Sequence, residues 1–570
     1  LRKKLLYFLI ITALIFVFCS LFISKSFLNF SINNNIQSTH LSTEDGWSND
    51  LQTIIWNEAD KSYDIYFLHS ADGATNPFGE SGQDWVHTST KDFITYSKQS
   101  SAIAANGGDK KEGWKSAWTG SIIKNTGWIS DIPEEAPLAY FTGLNKSDSS
   151  QNIYLAYSDD NGKTFKHPLN DGKPILTTNN SYNKSDFRDP YVFEYNHKLF
   201  MYVAEGDVIG VYQSEDGLSW SPSDTSGSKI LSETFFKGRN WSGNAPVECP
   251  VIKTMTTPDN QEKQVLFFGA KDSEKGETTG TYYIVGHLDD KGLFIDETDV
   301  KRLDQGSDYY GANFSGSSQI EDSNGNLLTL GWVGNWNYFT NGIHSDQQAE
   351  SSHMERIGFY SSPRILTLNQ DLSLEQKLHY DESQLKLRQE HLNITKNNPV
   401  SKDRILWEDK IVDKNLFGLY DIPNQSSSAL YRLEFSSTSD NYSGDIAIAI
   451  WQGSDSILFS YNPNTGQYLV KSYASELLNG LDKEKSETNI YNNGLFGKQE
   501  GFTANSGYLN QKHISITVVT DNRSVEFFFP NGSTYTIARF NTSGKQDFKV
   551  FTDDPDSSNK LDLSIYDFKK

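Results

Sequence analysis

The chain has 570 residues, too many for one hydrophobic core, and its composition (36% hydrophobic, 13% aromatic) is that of a folded protein of two or three domains. A formal charge of −22, from 51 basic and 73 acidic side chains, provides no basic footprint for nucleic acid and suits a neutral partner better than a phosphorylated one. The two cysteines, Cys19 and Cys249, exclude a disulfide framework or a cysteine-ligated metal in the folded part, because Cys19 falls in an N-terminal apolar run.

That run is the first element. Arg2, Lys3 and Lys4 precede an uncharged stretch from Leu5 to about Ser24. Residues 1–25 therefore read as a signal anchor or a signal peptide, with the remainder outside the cytoplasm. No small-x-small cleavage site follows, and Phe18 before Cys19 does not fit a lipoprotein site. The expected location is extracellular, secreted or anchored to the cell membrane, with membrane contact only through this segment. Residues 26–45 are rich in Ser, Asn and Thr and read as a polar tether.

Helical patterns are scarce beyond residue 45. Short apolar or alternating runs, among them Thr53–Trp56, Tyr63–Leu68, Ile153–Tyr157, Lys198–Ala204 and Gln264–Phe268, are broken by Gly, Asn, Asp and Pro. This spacing predicts an all-β domain over 46–370. A weak repeat refines it. Thr88-Ser89-Thr90-Lys91-Asp92-Phe93, Ser158-Asp159-Asp160-Asn161-Gly162-Lys163-Thr164-Phe165 and Ser214-Glu215-Asp216-Gly217-Leu218-Ser219-Trp220 each follow a strand with an Asp-bearing turn and an aromatic residue. Copies 55 to 70 residues apart suit the four-stranded blades of a propeller, although unrelated hairpins can share such turn chemistry. The charged stretch 371–400 reads as a linker with room for a short helix. Residues 401–570 return to short strands such as Ala429–Phe435, Gly444–Trp451 and Ser524–Phe529, as in a β-sandwich.

Three acidic segments of the first domain stand at strand edges. They are Trp47-Ser48-Asn49-Asp50, Phe187-Arg188-Asp189-Pro190 and Val247-Glu248-Cys249-Pro250. Singly, each has a bland reading: a turn Asp, a local Arg-Asp ion pair, a surface Glu. In a propeller, however, innermost strands converge on a central funnel. Glycoside hydrolysis uses such a set, with one ionised carboxylate as nucleophile, one protonated as acid and then base, and a third to hold sugar hydroxyls.

In this order the segments resemble the three blocks of glycoside hydrolase family 32, the invertases, inulinases and levanases. Asp84-Trp85-Val86-His87, Trp118-Thr119-Gly120-Ser121, Asp308-Tyr309-Tyr310-Gly311-Ala312-Asn313-Phe314 and Gly331-Trp332-Val333-Gly334-Asn335-Trp336 extend the likeness over about 45–370. The resemblance implies a five-bladed β-propeller followed by a β-sandwich. It implies a retaining hydrolase of β-fructosidic bonds, with Asp50 as nucleophile, Glu248 as acid/base and Asp189 as transition-state stabiliser. Asn49, Trp85, Trp118, Ser121, Arg188 and Trp336 are then expected to contact a fructan or fructo-oligosaccharide, with no metal and no cofactor.

Two positions depart from the family pattern. Leu51-Gln52-Thr53 replaces the usual Pro-Asn-Gly after the nucleophile, and Leu68 stands where the second strand usually ends in a fructose-binding Gln. Losing a polar contact shifts specificity, which tilts the expectation from sucrose toward longer fructans, internal cleavage included. A fructosyltransferase using the same covalent intermediate, a propeller glycosidase for arabinose or xylose polymers, and a non-catalytic carbohydrate-binding surface protein stand as alternatives.

Overall fold

The computed structural model describes residues 40–44, 46–71, 80–178, 186–223, 243–272, 278–315, 326–336 and 358–379, and the strands between 385 and 568. The apolar run Leu5–Ser24 lies outside them. No helix among the described residues is long and apolar enough to cross a membrane.

Five sheets of four or five strands follow one another in chain order. The first holds β1 (Trp47–Asn57), β2 (Ser62–Ser70), β3 (Asp84–Thr90) and β4 (Ser100–Ile103), paired in that order. The second holds β5 (Trp114–Lys124), β6 (Pro137–Asn145), β7 (Gln151–Tyr157) and β8 (His167–Pro168). The third is β9 (Phe187–Tyr195), β10 (Lys198–Glu205), β11 (Ile209–Ser214) and β12 (Ser221–Pro222). The fourth is β13 (Gly243–Thr256), β14 (Glu262–Asp272), β15 (Thr278–Leu288) and β16 (Phe294–Asp296), with β17 (Lys301–Arg302) also on β15. The fifth is β18 (Tyr310–Phe314), β19 (Leu327–Trp332), β20 (Arg364–Leu368) and β21 (Leu374–Leu378). The first strands of the five sheets contact one another in a closed circuit, β1 to β5, β9, β13, β18 and back to β1. This is a five-bladed propeller.

The repeated turns join the third and fourth strands of their blades. Asp160 accepts hydrogen bonds from Ser158 Oγ and from the Thr164 N–H, both at 2.8 Å. Asp216 does the same for Ser214 Oγ (3.0 Å) and the Ser219 N–H (2.7 Å), and Asp92 for the Thr95 N–H (2.8 Å). The corresponding turns of the second, third and fourth blades also receive a tyrosine from the preceding blade. Tyr66 donates to the Gly162 carbonyl, Tyr140 to Gly217 and Tyr202 to Gly292, at 2.9, 2.9 and 2.6 Å. In the fifth blade the Leu374 N–H donates to Tyr283 of the fourth, at 3.2 Å. Burial pushes the Tyr140 and Tyr283 hydroxyls upward, so they stay protonated.

The rest of the chain forms two sheets. One pairs β22 (Leu385–Asn393), β32 (Lys560–Phe568), β23 (Tyr431–Ser437), β28 (Ser515–Thr520), β29 (Ser524–Phe528) and β30 (Thr534–Ala538) in that order. The other pairs β27 (Glu500–Thr503), β26 (Gln467–Tyr473), β25 (Asp455–Asn462), β24 (Ile446–Gln452) and β31 (Gln546–Thr552). Phe459 of β25 packs against Phe527 of β29, ring centroids 4.8 Å apart, across the sandwich core. The stretch 371–400, expected as a linker with a short helix, instead carries β21 and β22. The reason is alternation: Leu374 and Gln376 point inward while Glu375 and Lys377 point outward, a period of two. The segment 26–45, expected as a tether, is anchored at its end. His40, Leu41 and Thr43 are buried, Ser42 bridges Phe359, and the Tyr360 N–H donates to the Leu41 carbonyl at 2.8 Å.

A buried ionic network joins propeller to sandwich. Arg364 of β20 donates to Asp304 Oδ2 and to Glu526 Oε2 of β29, both at 2.7 Å. Thr534 and Thr536 of β30 donate to Asp304 as well, and His40 contacts Glu526 Oε1 at 2.9 Å. Burial works against the Glu526 charge, yet His40 and Arg364 hold its carboxyl down to about 2. Removing one member strands the others as uncompensated charges. Arg364→Ala is therefore expected to cost about 3–5 kcal/mol, read as a lower midpoint in urea unfolding.

Candidate active site

A cavity of about 480 Å³ opens among the innermost strands. All five of these strands break register beside it. The irregularities fall at Ser48–Leu51 and Leu51–Thr53 in β1, Ala117–Gly120 in β5, the Arg188–Tyr191 stretch of β9, both sides of Glu248 in β13, and Tyr310–Asn313 in β18. A bulge re-aims one side chain out of the two-faced alternation of a strand. Here the re-aimed residues include Asp50, Asp189 and Glu248, from blades one, three and four, and all three line the cavity. Two backbones adopt left-handed torsions to do so, Asp189 at φ 64° and Cys249 at φ 50°. Such conformations are sparsely populated away from glycine and gather at functional sites.

Two of the three carboxylates, Asp50 and Asp189, are tied through one residue. The Cys249 N–H donates to Asp189 Oδ2 at 2.9 Å, and its thiol lies 3.5 Å from Asp50 Oδ2 and 3.6 Å from Asp189 Oδ2. Thr119 Oγ1 donates to Asp50 Oδ2 at 3.0 Å. Thr142 Oγ1 accepts the Asp189 N–H at 2.7 Å and donates to the Thr119 carbonyl at 3.0 Å. Glu248 is gripped on both oxygens. Arg188 donates twice to Oε1, at 2.7 and 3.2 Å, and the Tyr310 hydroxyl donates to Oε2. Arg188 also reaches Asp186 at 2.8 Å.

Burial pushes the Asp50 carboxyl up to about 7, and the charges of Asp189 and Glu248 add to the shift. Burial likewise raises Asp189 to about 6, against the pull of Arg188. The Cys249 thiol is driven up by burial and by the same carboxylates, so it acts as an S–H donor. Carboxylates coupled this closely hold protons in common. The arrangement can thus supply both an ionised oxygen and a proton at neutral pH.

Of the residues expected from sequence, Asn49, Asp50, Trp118, Arg188, Asp189, Glu248 and Trp336 line the cavity. Trp336 packs on Trp47 and Trp332, ring centroids 5.7 and 5.3 Å away. Trp85 and Ser121, expected to touch sugar, are buried and stand behind the wall. Trp85 Nε1 donates to the Trp118 carbonyl at 2.9 Å. Ser121 Oγ donates to the Pro190 carbonyl and accepts the Val192 N–H, both at 2.9 Å, which fixes β9 just after Asp189. Each places a neighbour rather than a ligand. Gln52, one of the departures after Asp50, is buried and braces β1. Its side chain donates to the Asp50 carbonyl and accepts the Gly120 N–H, at 2.9 and 3.0 Å. Sequence reasoning missed Thr119, Cys249, Tyr310 and Gly311 as site residues, although all four lie inside the quoted blocks. Three buried polar atoms of wall residues, Asn49 Oδ1, Asp50 Oδ1 and Trp118 Nε1, have no hydrogen-bond partner among the described residues. Grouped unsatisfied atoms of this kind mark a ligand site.

A carboxylate trio at the centre of a five-bladed propeller is the layout of a propeller glycosidase. The chain belongs to the glycosyl hydrolases family 32: the family's N-terminal domain matches residues 40–378, the whole propeller. The chain is 30% identical over 304 residues to a levanbiose-producing levanase of Bacillus subtilis, covering 53% of this chain and 54% of that protein. It thus spans little more than half of that relative's length. It is 24% identical over 471 residues to an extracellular exo-inulinase of Meyerozyma guilliermondii, covering 79% of this chain and 81% of that one. The fold matches a fructofuranosidase from Schwanniomyces occidentalis, solved with fructose, at TM-score 0.70 and 18% identity, over 94% of this chain and 99% of that one.

Gly311 permits this geometry. Its φ is 49°, and a Cβ there would stand 2.4 Å from Asp50 Oδ1. Gly311→Ala must displace the Asp50 carboxylate, and a displacement near 1 Å costs on the order of a hundredfold in rate. The expected outcome is that loss in kcat for a folded enzyme, measured by steady-state kinetics beside a thermal melt.

Asp50 also links activity to stability. Its folded-state pKa of about 7 lies above the ordinary 3.8, so the stability linked to its proton is complete below pH 3.8 and is lost as pH rises through 7. Asp50→Asn removes that loss. It is expected to abolish turnover while raising stability by roughly 2–4 kcal/mol at pH 8, a gain that vanishes near pH 4. Unfolding curves at the two pH values measure it.

Proposed function

We propose that this protein is a retaining glycoside hydrolase that cleaves β-fructosidic bonds in fructans, levan-type chains foremost. The convergence of Asp50, Asp189 and Glu248 at one cavity carries the reading. Family membership and the names of its levanase and exo-inulinase relatives support it.

In this reading Asp50 attacks C2 of a fructosyl unit, and Glu248 gives a proton to the departing glycosidic oxygen. The C2–O bond breaks as the ester to Asp50 forms. Water then attacks C2, its proton returns to Glu248, and Asp50 leaves. Asp189 holds fructose hydroxyls, and the Cys249 N–H and Arg188 hold Asp189 and Glu248 in place. Leu68 on the wall, in place of an amide, supports a preference for longer chains over sucrose. The basic-then-apolar N-terminal run and the extracellular relative support export, by a signal that is cleaved or retained as an anchor.

Chromatography of early products from levan, inulin and sucrose tests the substrate. Fructose or short fructo-oligosaccharides are expected from levan, and no product from any fructan would sink the reading. Glu248→Gln is expected to lose about a thousandfold in kcat, with the fold intact by circular dichroism.

A further inference from the structure

We infer that Gln83 supplies the amide contact to the fructosyl unit that strand β2 of this chain lacks, making it a specificity-determining residue; this rests on the fructan reading above. Leu68 and Gln83 both line the cavity. In the β2–β3 register Leu68 pairs with Trp85, and Gln83 lies two residues before Trp85. Gln83 precedes the start of β3 at Asp84 by one residue, and the alternation carried that one step further puts it on the face that carries Leu68, in the diagonal position. An apolar residue and an amide stand side by side where the sugar sits.

Gln83 is held as a site residue should be. Its N–H donates to Ser116 Oγ at 3.2 Å, and its carbonyl accepts the Ala117 N–H at 2.9 Å. Gly82 lets the chain press this closely onto β5: its φ is 90°, and a Cβ would meet the Lys115 carbonyl oxygen at 2.4 Å. The residue is only 3% exposed, yet its side chain reaches the cavity. The side-chain amide makes no hydrogen bond to a described residue. A primary amide presents one donor face and one acceptor in a plane, which matches two adjacent sugar hydroxyls. The amide has in effect moved from β2 to the residue just before the strand beside it.

Gln83→Met keeps the length and packing of the side chain and removes both polar atoms. The expected result is a ten- to hundredfold lower kcat/KM on levan and inulin oligosaccharides, with Tm unchanged. Leu68→Gln combined with Gln83→Met returns an amide to β2 and is expected to recover at least tenfold over Gln83→Met alone. Gln83→Asn, which withdraws the amide by one methylene, is expected to lose about tenfold and serves if the Met variant does not fold. An active parent with a Met or Asn variant within twofold of it overturns this inference alone. A double variant no better than Gln83→Met overturns the shared role of the two positions. A parent inert on every fructan overturns both the reading and the inference.

Discussion

Mutual repulsion among Asp50, Asp189 and Glu248 is the constraint around which the rest of the propeller is arranged. Three carboxylates brought out of water onto one cavity oppose folding, and nothing about sugar chemistry removes that opposition. The protein meets it with a few donors of fixed direction. Arg188 neutralises the Glu248 side, the Cys249 N–H and thiol lie between Asp50 and Asp189, and Thr119 supports Asp50 from the opposite strand. None of these partners follows from a neighbour in sequence: Arg188 sits beside Asp189 but serves Glu248, and Cys249 sits beside Glu248 but serves Asp189 and Asp50. The elevated Asp50 and Asp189 carboxyls are the residue of burial first, and of repulsion second, that the donors do not cancel. An enzyme that needs a proton and a nucleophile in one small space uses that residue.

Regular β-structure alone does not build such a point. A strand sends alternate side chains to opposite faces, so a flat inner strand presents the cavity with one face at fixed spacing. The register breaks of the five innermost strands override that spacing beside the cavity, while the outer strands are mostly regular and pack the aromatic cores between blades. Irregularity is concentrated beside the cavity. Rigidity elsewhere comes from the tyrosine-to-turn contacts and from the ionic network around Arg364, which locks the fifth blade and the segment at His40 to the sandwich.

Much of this was legible in the sequence, and the reason differs by layer. The repeated Asp-bearing turns gave away the blades because their hydrogen bonds close within a few residues, as Ser158, Asp160 and Thr164 show. The three acids were legible because each sits in a block with distinctive neighbours. Trp85 and Ser121 were misplaced because a motif reports that a residue matters, not which way it faces: both are fixed behind the wall by contacts to Trp118 and Pro190. The thiol bridge was invisible for a stronger reason. Cys249 and Asp50 are 199 positions apart, and only ring closure makes them neighbours. The stretch after residue 370 misled because its many charges hid the period-two pattern of Leu374, Gln376 and Leu378 on the strand they belong to.

The tyrosine contacts between blades all point the same way along the chain. Tyr66, Tyr140, Tyr202 and Tyr283 each meet a turn in the blade that follows their own. During synthesis or export, N-terminus first, a blade therefore emerges with a hydroxyl whose partner does not yet exist. Each new blade completes its predecessor and leaves the same debt at the growing end. Among the described residues the last step shows no such tyrosine; it is closed by Leu41 and Ser42 on Tyr360 and Phe359, and by Asn313 on the Gln52 carbonyl. Assembly of the ring is thus directional, with its final seam made where the fifth blade meets Leu41, Ser42 and Gln52, so the molecule becomes a closed circle only after the fifth blade has left the ribosome.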